Sequence, residues 1–364
     1  FFVFFFLGAI LIANAQQSPL KQRIIDHTLY STILGEDRKV TVFLPNEYHS
    51  EYAKQDKYCV VYVLDGGKKK TIVKGVYDFL ANGPKPTIPD LIIVAVHQKN
   101  RMKELTPSTS LKYPNGEAAV QYKSSGGGNL FYNFLTTELN AFIDKSYRTN
   151  GYNILAGHSF GGLFSLDALL TKNGVFKGFI ASDPSLWWND KNLYKKSMDL
   201  LESKDFDRHS LFLAIANQEG TPTLPHSNMH QETIHDFAKL LDATKPDGLR
   251  YRHKFYEDRD HLSLSMESLQ DGLSFLFEGF AFRFRGLDLT KESLTDNYKK
   301  VSENTGITLE PSIARLIQYG DLFLIKNDPK RALLFYEYAL KRIPKDEKLL
   351  KKVSEVKSKL KLNP

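Results

Sequence analysis

Residues 151–170 read Gly151-Tyr152-Asn153-Ile154-Leu155-Ala156-Gly157-His158-Ser159-Phe160-Gly161-Gly162-Leu163-Phe164-Ser165-Leu166-Asp167-Ala168-Leu169-Leu170. The first six residues form an apolar run of strand length, and residues 163–170 form an apolar run that packs as a helix. Between them lies Gly157-x-Ser159-x-Gly161, the pattern of a nucleophile elbow: a strand ends, the chain turns sharply and a helix begins. The glycines are needed because the turn folds against its neighbours where no side chain fits. Such a short pattern can also be a plain Gly-rich turn, so the flanking strand and helix carry the reading. Ser159 is the expected nucleophile.

Outward from the elbow, the same alternation repeats. Residues 25–34 and 39–44 alternate like paired strands around a Gly35-Glu36-Asp37 turn. Residues 58–64, 91–96, 176–181, 211–216 and 251–256 are predicted strands, several of them continuously apolar as expected of strands covered on both faces. Residues 72–80, 129–147 and 269–277 carry helical spacing. This order predicts an α/β fold with a mostly parallel central sheet and helices on both faces. Ligand chemistry in such sheets sits at the carboxyl ends of strands, where the polar motifs fall. Residues 98–128, rich in Pro, Ser, Lys and Gly, are an irregular stretch long enough to be functional or mobile.

The 364 residues, 42% of them hydrophobic, suffice for one large core and a small appendage. The formal net charge of +7 has a location: residues 326–364 hold twelve Lys/Arg against five Asp/Glu, and the rest is neutral. No basic groove is implied on the body, so nucleic acid is not an expected partner. The basic face of the tail reads as a solvated helix. Residues 1–15 (FFVFFFLGAILIANA) resemble the apolar core and small-x-small cleavage site of a secretory signal peptide, so the chain is expected to be exported, with no transmembrane segment after cleavage. Cys59, the single cysteine, lies in an apolar strand and reads as a packing residue.

A serine hydroxyl needs a general base within hydrogen-bond reach. Of ten histidines, His261 fits best, because it follows the last strand in a loop and comes after the elbow. His226, His230 and His235 show no convincing metal-ligand spacing, and His158 reads as a pocket-wall or packing residue. The acid that orients the base is expected after the penultimate strand, which points to Glu219. Asp183, also after a strand, is the runner-up, and a Ser–His dyad is the third option. Two oxyanion donors are required: the Phe160 amide, next after the nucleophile, and an amide of Asp65-Gly66-Gly67, with Gly66 preferred. Nothing in the chain binds a metal or nucleotide convincingly, so no cofactor is expected.

These motifs together resemble the "putative esterase" branch of the α/β-hydrolase superfamily, which includes enterochelin-esterase-like and related acyl-ester hydrolases. The matching stretches are Val63-Leu64-Asp65-Gly66, Asn100-Arg101 through Leu105-Thr106-Pro107, Gly126-Gly127-Gly128 leading into Phe134-Leu135 and Glu138-Leu139, Gly157 to Gly162, Ser182 to Trp188, Gln218-Glu219 and Asp260-His261. The resemblance implies an α/β-hydrolase fold over residues 26–285 and a serine hydrolase of carboxylic esters. It carries Ser159 over as nucleophile and His261 as base, and Glu219 less surely as acid. Arg101 resembles a cleft-lining residue, and His158, Trp187 and Trp188 are further expected substrate contacts. One departure is Asp183, where many relatives have serine before Pro184.

From Ile313 onward the spacing of Leu316, Gly320, Phe323, Ala332, Tyr336, Ala339 and Pro344 matches one tetratricopeptide unit. A TPR-like helical segment is therefore expected over 307–362, joined by a polar connector at 293–305. One unit cannot stand alone, so it should pack on the body or on another copy. The expected function is an exported serine esterase acting through an acyl-enzyme on a small ester such as a siderophore lactone or an acylated or feruloylated sugar. The alternatives are acyl transfer on the same fold, or a non-catalytic scaffold that uses the helical tail.

Overall fold

The computed structural model describes residues 23–83, 86–172, 174–217, 226–281 and 289–362. The predicted signal segment lies outside them. Eight strands form one sheet in the order β1-β2-β4-β3-β5-β6-β7-β8. They are β1 (Ile24–Ser31), β2 (Glu36–Phe43), β3 (Tyr58–Val63), β4 (Leu91–Val96), β5 (Thr149–His158), β6 (Phe176–Ser182), β7 (His209–Ala216) and β8 (Leu249–Tyr256). β1 and β2 pair antiparallel, β2 joins β4 antiparallel, and the remaining pairs are parallel. The hairpin turns at residues 32–35, earlier than expected, because Ser31 pairs with Glu36 and draws Glu36 and Asp37 into β2.

Side chains alternate across a strand, and that period divides the core in two. Val61, Val63, Ile93, Ala95, Ile154 and Ala156 face one layer. Val60, Tyr62, Ile92, Val94, Leu155 and Ala181 face the other. The first layer is covered by α1 (Gly66–Asn82), which begins six residues before the predicted helix, and by α8 (Ser265–Leu276). The second is covered by α2 (Arg101–Leu105), α3 (Gly128–Asn133), α4 (Asn140–Ser146), α5 (Phe160–Thr171), α6 (Trp188–Ser203) and α7 (His226–Thr244). A π-helical stretch, Phe134–Leu139, links α3 to α4.

The chain ends in α9 (Lys291–Thr305), α10 (Ile313–Ile325), α11 (Pro329–Arg342) and α12 (Glu347–Leu362). Residues 293–305 are therefore not a polar connector. Leu294, Tyr298 and Val301, at helical spacing, are buried in the same cluster as the first sheet layer. α10 and α11 pack there too, which extends the core rather than building a second one. Their polar anchors lie at the amino ends of β3 and β4. Ser312 Oγ and Arg315 Nη2 each donate to Asp90 at 2.8 Å, and Arg342 Nη2 donates to Asp56 at 2.7 Å. The tail thus docks at the sheet end opposite the elbow.

Candidate active site

Ser159 sits between β5 and α5 with φ 60° and ψ −118°, a region that costs a residue with a side chain on the order of 1–3 kcal/mol. Neighbouring backbone holds it there. Its amide donates to the Ser182 carbonyl at 2.9 Å, while its own carbonyl accepts from Leu163 at 2.9 Å and Ser185 at 3.1 Å. Gly157 is obligatory in this turn, since a Cβ there would stand 2.2 Å from the Gly161 carbonyl oxygen. The Ser159 hydroxyl is half-buried and shares a 3.2 Å hydrogen bond with Ser185 Oγ.

Val63 of β3 pairs with Ala156 of β5, so the turns that follow, at Asp65-Gly66 and at Gly157-His158-Ser159, leave neighbouring strands at the same end of the sheet. Gly66 opens α1 and Phe160 opens α5. First-turn amides have no acceptor within their own helix, and both helix dipoles point their positive ends at this spot. A side chain at Gly66 would meet the Ala95 carbonyl carbon at 2.5 Å, so only glycine lets α1 approach this closely. Unpaired first-turn amides are the kind of donor that a developing oxyanion needs.

Arg101 stands behind this corner rather than simply lining a cleft. Its Nε and Nη2 donate to the Asp65 carboxylate at 2.8 and 3.1 Å, and Nη2 also donates to the His158 carbonyl at 3.1 Å. The guanidinium lies 5.5 Å from the Phe160 ring centre. It therefore ties the α1 corner to the elbow. α2, which carries Arg101, is fixed in turn by Glu104, which accepts from buried Arg38 at 2.9 and 2.8 Å. The stretch predicted as irregular is thus anchored, and Trp188 Nε1 donates to the Ser108 carbonyl at 3.0 Å.

Register also places Asp183. Ser182 ends β6 beside His158 on one side and Ala214 on the other. The next residue, Asp183, has φ 43° and its amide donates to the Ala214 carbonyl at 2.8 Å. Its carboxylate is fully buried and accepts three hydrogen bonds: Oδ1 from the Ala216 amide at 3.0 Å, Oδ2 from His261 Nδ1 at 2.6 Å and from His230 Nε2 at 2.8 Å. Although burial opposes ionisation, the hydrogen bonds and positive ends of the two imidazoles outweigh it and hold the carboxyl well below its usual range. With Nδ1–H of His261 on the carboxylate, Nε2 keeps the lone pair a general base needs.

Glu219, the expected acid, lies outside the described residues, and the Nδ1 of His261 is engaged by Asp183. Asp183 follows β6 rather than the penultimate strand, and its left-handed backbone turns the carboxylate across the ends of β7 and β8. The signal in the sequence was the unusual aspartate before Pro184. Nothing in the sequence pointed to His230, which reaches the site from α7.

His158 is buried beneath the site. Its Nε2–H donates to the His261 backbone carbonyl at 2.5 Å, and the two rings lie 4.4 Å apart. Burial, reinforced by the charge of Lys69, pulls its pKa down to about 3. It is thus a neutral brace under His261, and it also lines a small cavity with Lys69, Ser182 and Ser265. Burial also brings Lys69 down to about 8, and its Nζ donates to Ser265 Oγ at 3.2 Å. Trp188 is only 1% exposed and packs in the core, whereas half-buried Trp187 borders a cleft of about 430 Å³ with Leu111, Tyr113, Pro114 and Met229. The buried Cys59 thiol is pushed up to about 12 by desolvation, which leaves it inert. Among the described residues, Asp183, His230 and His261 are the group whose ligand atoms lie within 4.8 Å of one another. Their short contacts here are imidazole-to-carboxylate hydrogen bonds. No helix of the described residues is long and apolar enough to cross a membrane.

The "Putative esterase" family matches residues 31–259. An IroE-like serine hydrolase from Shewanella oneidensis superposes with a TM-score of 0.81 at 33% identity, covering 88% of this chain and 99% of that one. The ferri-bacillibactin esterase BesA of Bacillus subtilis is 24% identical over 217 residues, 57% of this chain and 74% of its own length. A siderophore triacetylfusarinine C esterase of Aspergillus fumigatus is 27% identical over 207 residues, 52% of this chain and 68% of its own. The family match takes in the elbow, the Gly66 corner and Asp183, stopping just short of His261. By sequence and by fold, then, this chain belongs to the "Putative esterase" family of α/β hydrolases.

Proposed function

We propose that the protein is a serine esterase that hydrolyses siderophore esters through an acyl-enzyme, with Ser159 as nucleophile, His261 as base and Asp183 as the orienting acid. Ser159 Oγ attacks the ester carbonyl while His261 Nε2 takes its proton, and the carbonyl π pair moves onto oxygen. The Gly66 and Phe160 amides hold that oxyanion. As the carbonyl re-forms, the bond to the alkoxy group breaks and His261 gives it the proton. Water, deprotonated by the same nitrogen, then attacks the acyl-serine, and as the bond from the acyl carbon to Ser159 Oγ breaks, His261 returns the proton to that oxygen and the acid is released.

The observation that carries this reading is Asp183, a buried carboxylate aimed at Nδ1 of a histidine beside a strained serine. In the resting site the Ser159 hydroxyl rests on Ser185, an arrangement common before substrate tightens the catalytic hydrogen bonds. The siderophore class is supported by the names of the curated relatives. Export, read from residues 1–15, belongs to the same proposal and is checked by fractionating cells that express the chain.

The test is labelling with a fluorophosphonate probe, followed by turnover of siderophore lactones beside acylated sugars. Native protein should be labelled and Ser159→Ala should not. Lactones should turn over faster than sugar esters. Absence of label on folded native protein overturns the mechanism, and preference for sugar esters overturns the substrate class.

A further inference from the structure

Two histidines share one oxygen of Asp183, and the mechanism uses only one of them. His230 lies in the first turns of α7, is buried, and places Nε2 2.8 Å from Oδ2. Its ring stands perpendicular to that of His261, with centres 5.2 Å apart. Since an ionised carboxylate only accepts, the contact fixes the proton of His230 on Nε2.

We propose that His230 is a positioning residue for ester hydrolysis, holding Asp183 in the orientation that aims His261 at Ser159. This rests on the reading of Ser159, His261 and Asp183 given above.

The physical case begins with the acid's situation. Asp183 is fully buried, and among the described residues its carboxylate contacts no lysine or arginine and takes its hydrogen bonds from one backbone amide and two imidazoles. A buried carboxylate demands such donors, because leaving it short of them carries a large desolvation cost. The Ala216 amide fixes Oδ1 but leaves the group free to rotate about that contact. His261 cannot supply the second fixed point, because it sits in a loop and is itself the group to be positioned. His230 can, since it comes from a 19-residue helix packed on the sheet. Ala216 and His230 together define the carboxylate plane, and His261 docks onto a plane already set. Asp183 needs this help because it stands on a left-handed turn after β6 and reaches across to the end of β8.

The contact predicts a specific chemical requirement: an N–H donor where Nε2 now lies. Glutamine presents one there and phenylalanine does not. His230→Phe should lower kcat for a small activated ester about 10- to 100-fold with KM within about twofold, since a misaimed base slows proton transfer without touching substrate binding. His230→Gln should return kcat to within about threefold of native. Equal kcat in native and His230→Phe overturns the proposal. So does an equal loss in both variants, which would assign His230 to packing alone.

Native protein with nitrogen-15-labelled histidine gives a second reading that does not depend on any variant folding. Besides the buried Nε2–H of His158, slowly exchanging downfield imidazole N–H signals are expected from Nδ1–H of His261 and Nε2–H of His230, told apart by their nitrogen assignments. Absence of the His230 Nε2–H signal overturns the proposal. Failure of the esterase reading looks different: Ser159→Ala would then hydrolyse esters as fast as native while the His261 and His230 signals persist, and a His230 with no proton transfer to serve would overturn its positioning role.

Discussion

Buried aspartates occur at both ends of the sheet, and their partners differ. At the carboxyl end, Asp183 is held by two imidazoles and an amide. At the amino end, Asp56 and Asp90 are held by Arg342 and Arg315, with Ser312 beside them. Arginine stays charged at any working pH and fixes a carboxylate as a permanent ion pair. Histidine can take and release a proton near neutrality. The arginine pairs fasten a helical tail to the body, while the imidazoles tie a loop and a helix to one carboxylate. Burying the same residue type thus yields a permanent ion pair or an imidazole-held carboxylate according to the partner's chemistry.

The contrast breaks most visibly at the reactive end. Asp183→Asn should lower kcat about 10⁴-fold, since an amide can donate to Nδ1 and stabilise the wrong tautomer. Ser159→Ala should lose at least as much. Both are read by steady-state ester hydrolysis, and both variants should keep native-like urea unfolding to within a few kcal/mol.

At the joint the pattern should invert. Arg315→Met strands the largely buried Asp90 carboxylate, so unfolding free energy should drop by about 3 kcal/mol, while kcat of the folded protein stays native. Adding Asp90→Leu should recover most of that loss, because an apolar pair replaces a desolvated one. No such double replacement can rescue Asp183.

A third difference concerns acid. His158 is held neutral, its pKa brought down to about 3 by burial, so between pH 6.5 and 3 the unfolded chain binds a proton that the folded chain refuses. Stability therefore falls as pH drops below about 6.5, by up to about 1.4 kcal/mol per pH unit. Asp183, also depressed, adds to the same loss below about pH 4. Urea midpoints measured from pH 7 to 4 should fall in native protein and flatten in His158→Gln, which keeps the donor to the His261 carbonyl without titrating.

The smallest effect sharpens the role of Arg101. Arg101→Lys replaces a planar fork by a point charge, so it cannot grip Asp65 with two bonds and the His158 carbonyl with a third. A roughly tenfold loss in kcat is expected, with KM for a small ester little changed.

Much of this was legible in the chain. The apolar runs at β3, β4 and β7 announced buried strands because every residue in them is covered on one face or the other. Gly157-x-Ser159-x-Gly161 announced the turn because its steric demands admit few residues. The helix pair at α10 and α11 was visible from spacing, and in the structure Asp328 caps and Pro329 opens the second helix. The partner of His261 Nδ1 was not legible. Asp183 follows a strand, but where its carboxylate points depends on the left-handed turn its backbone takes. The polar composition of residues 293–305 likewise hid a helix whose three apolar residues fall on one face.

What the sequence determined alone is everything set by local sterics and periodicity: strand and helix identity, the elbow and the alternating faces of the sheet. What only the tertiary structure decided is the meeting of residues far apart in the chain. Arg101 ties Asp65 to the elbow, Asp183 gathers His230 and His261 from two separate elements, and the tail lies at the end of the sheet away from all of them. Local patterns depend on neighbours three or four residues away, whereas a hydrogen bond across 78 residues depends on how every intervening element packs.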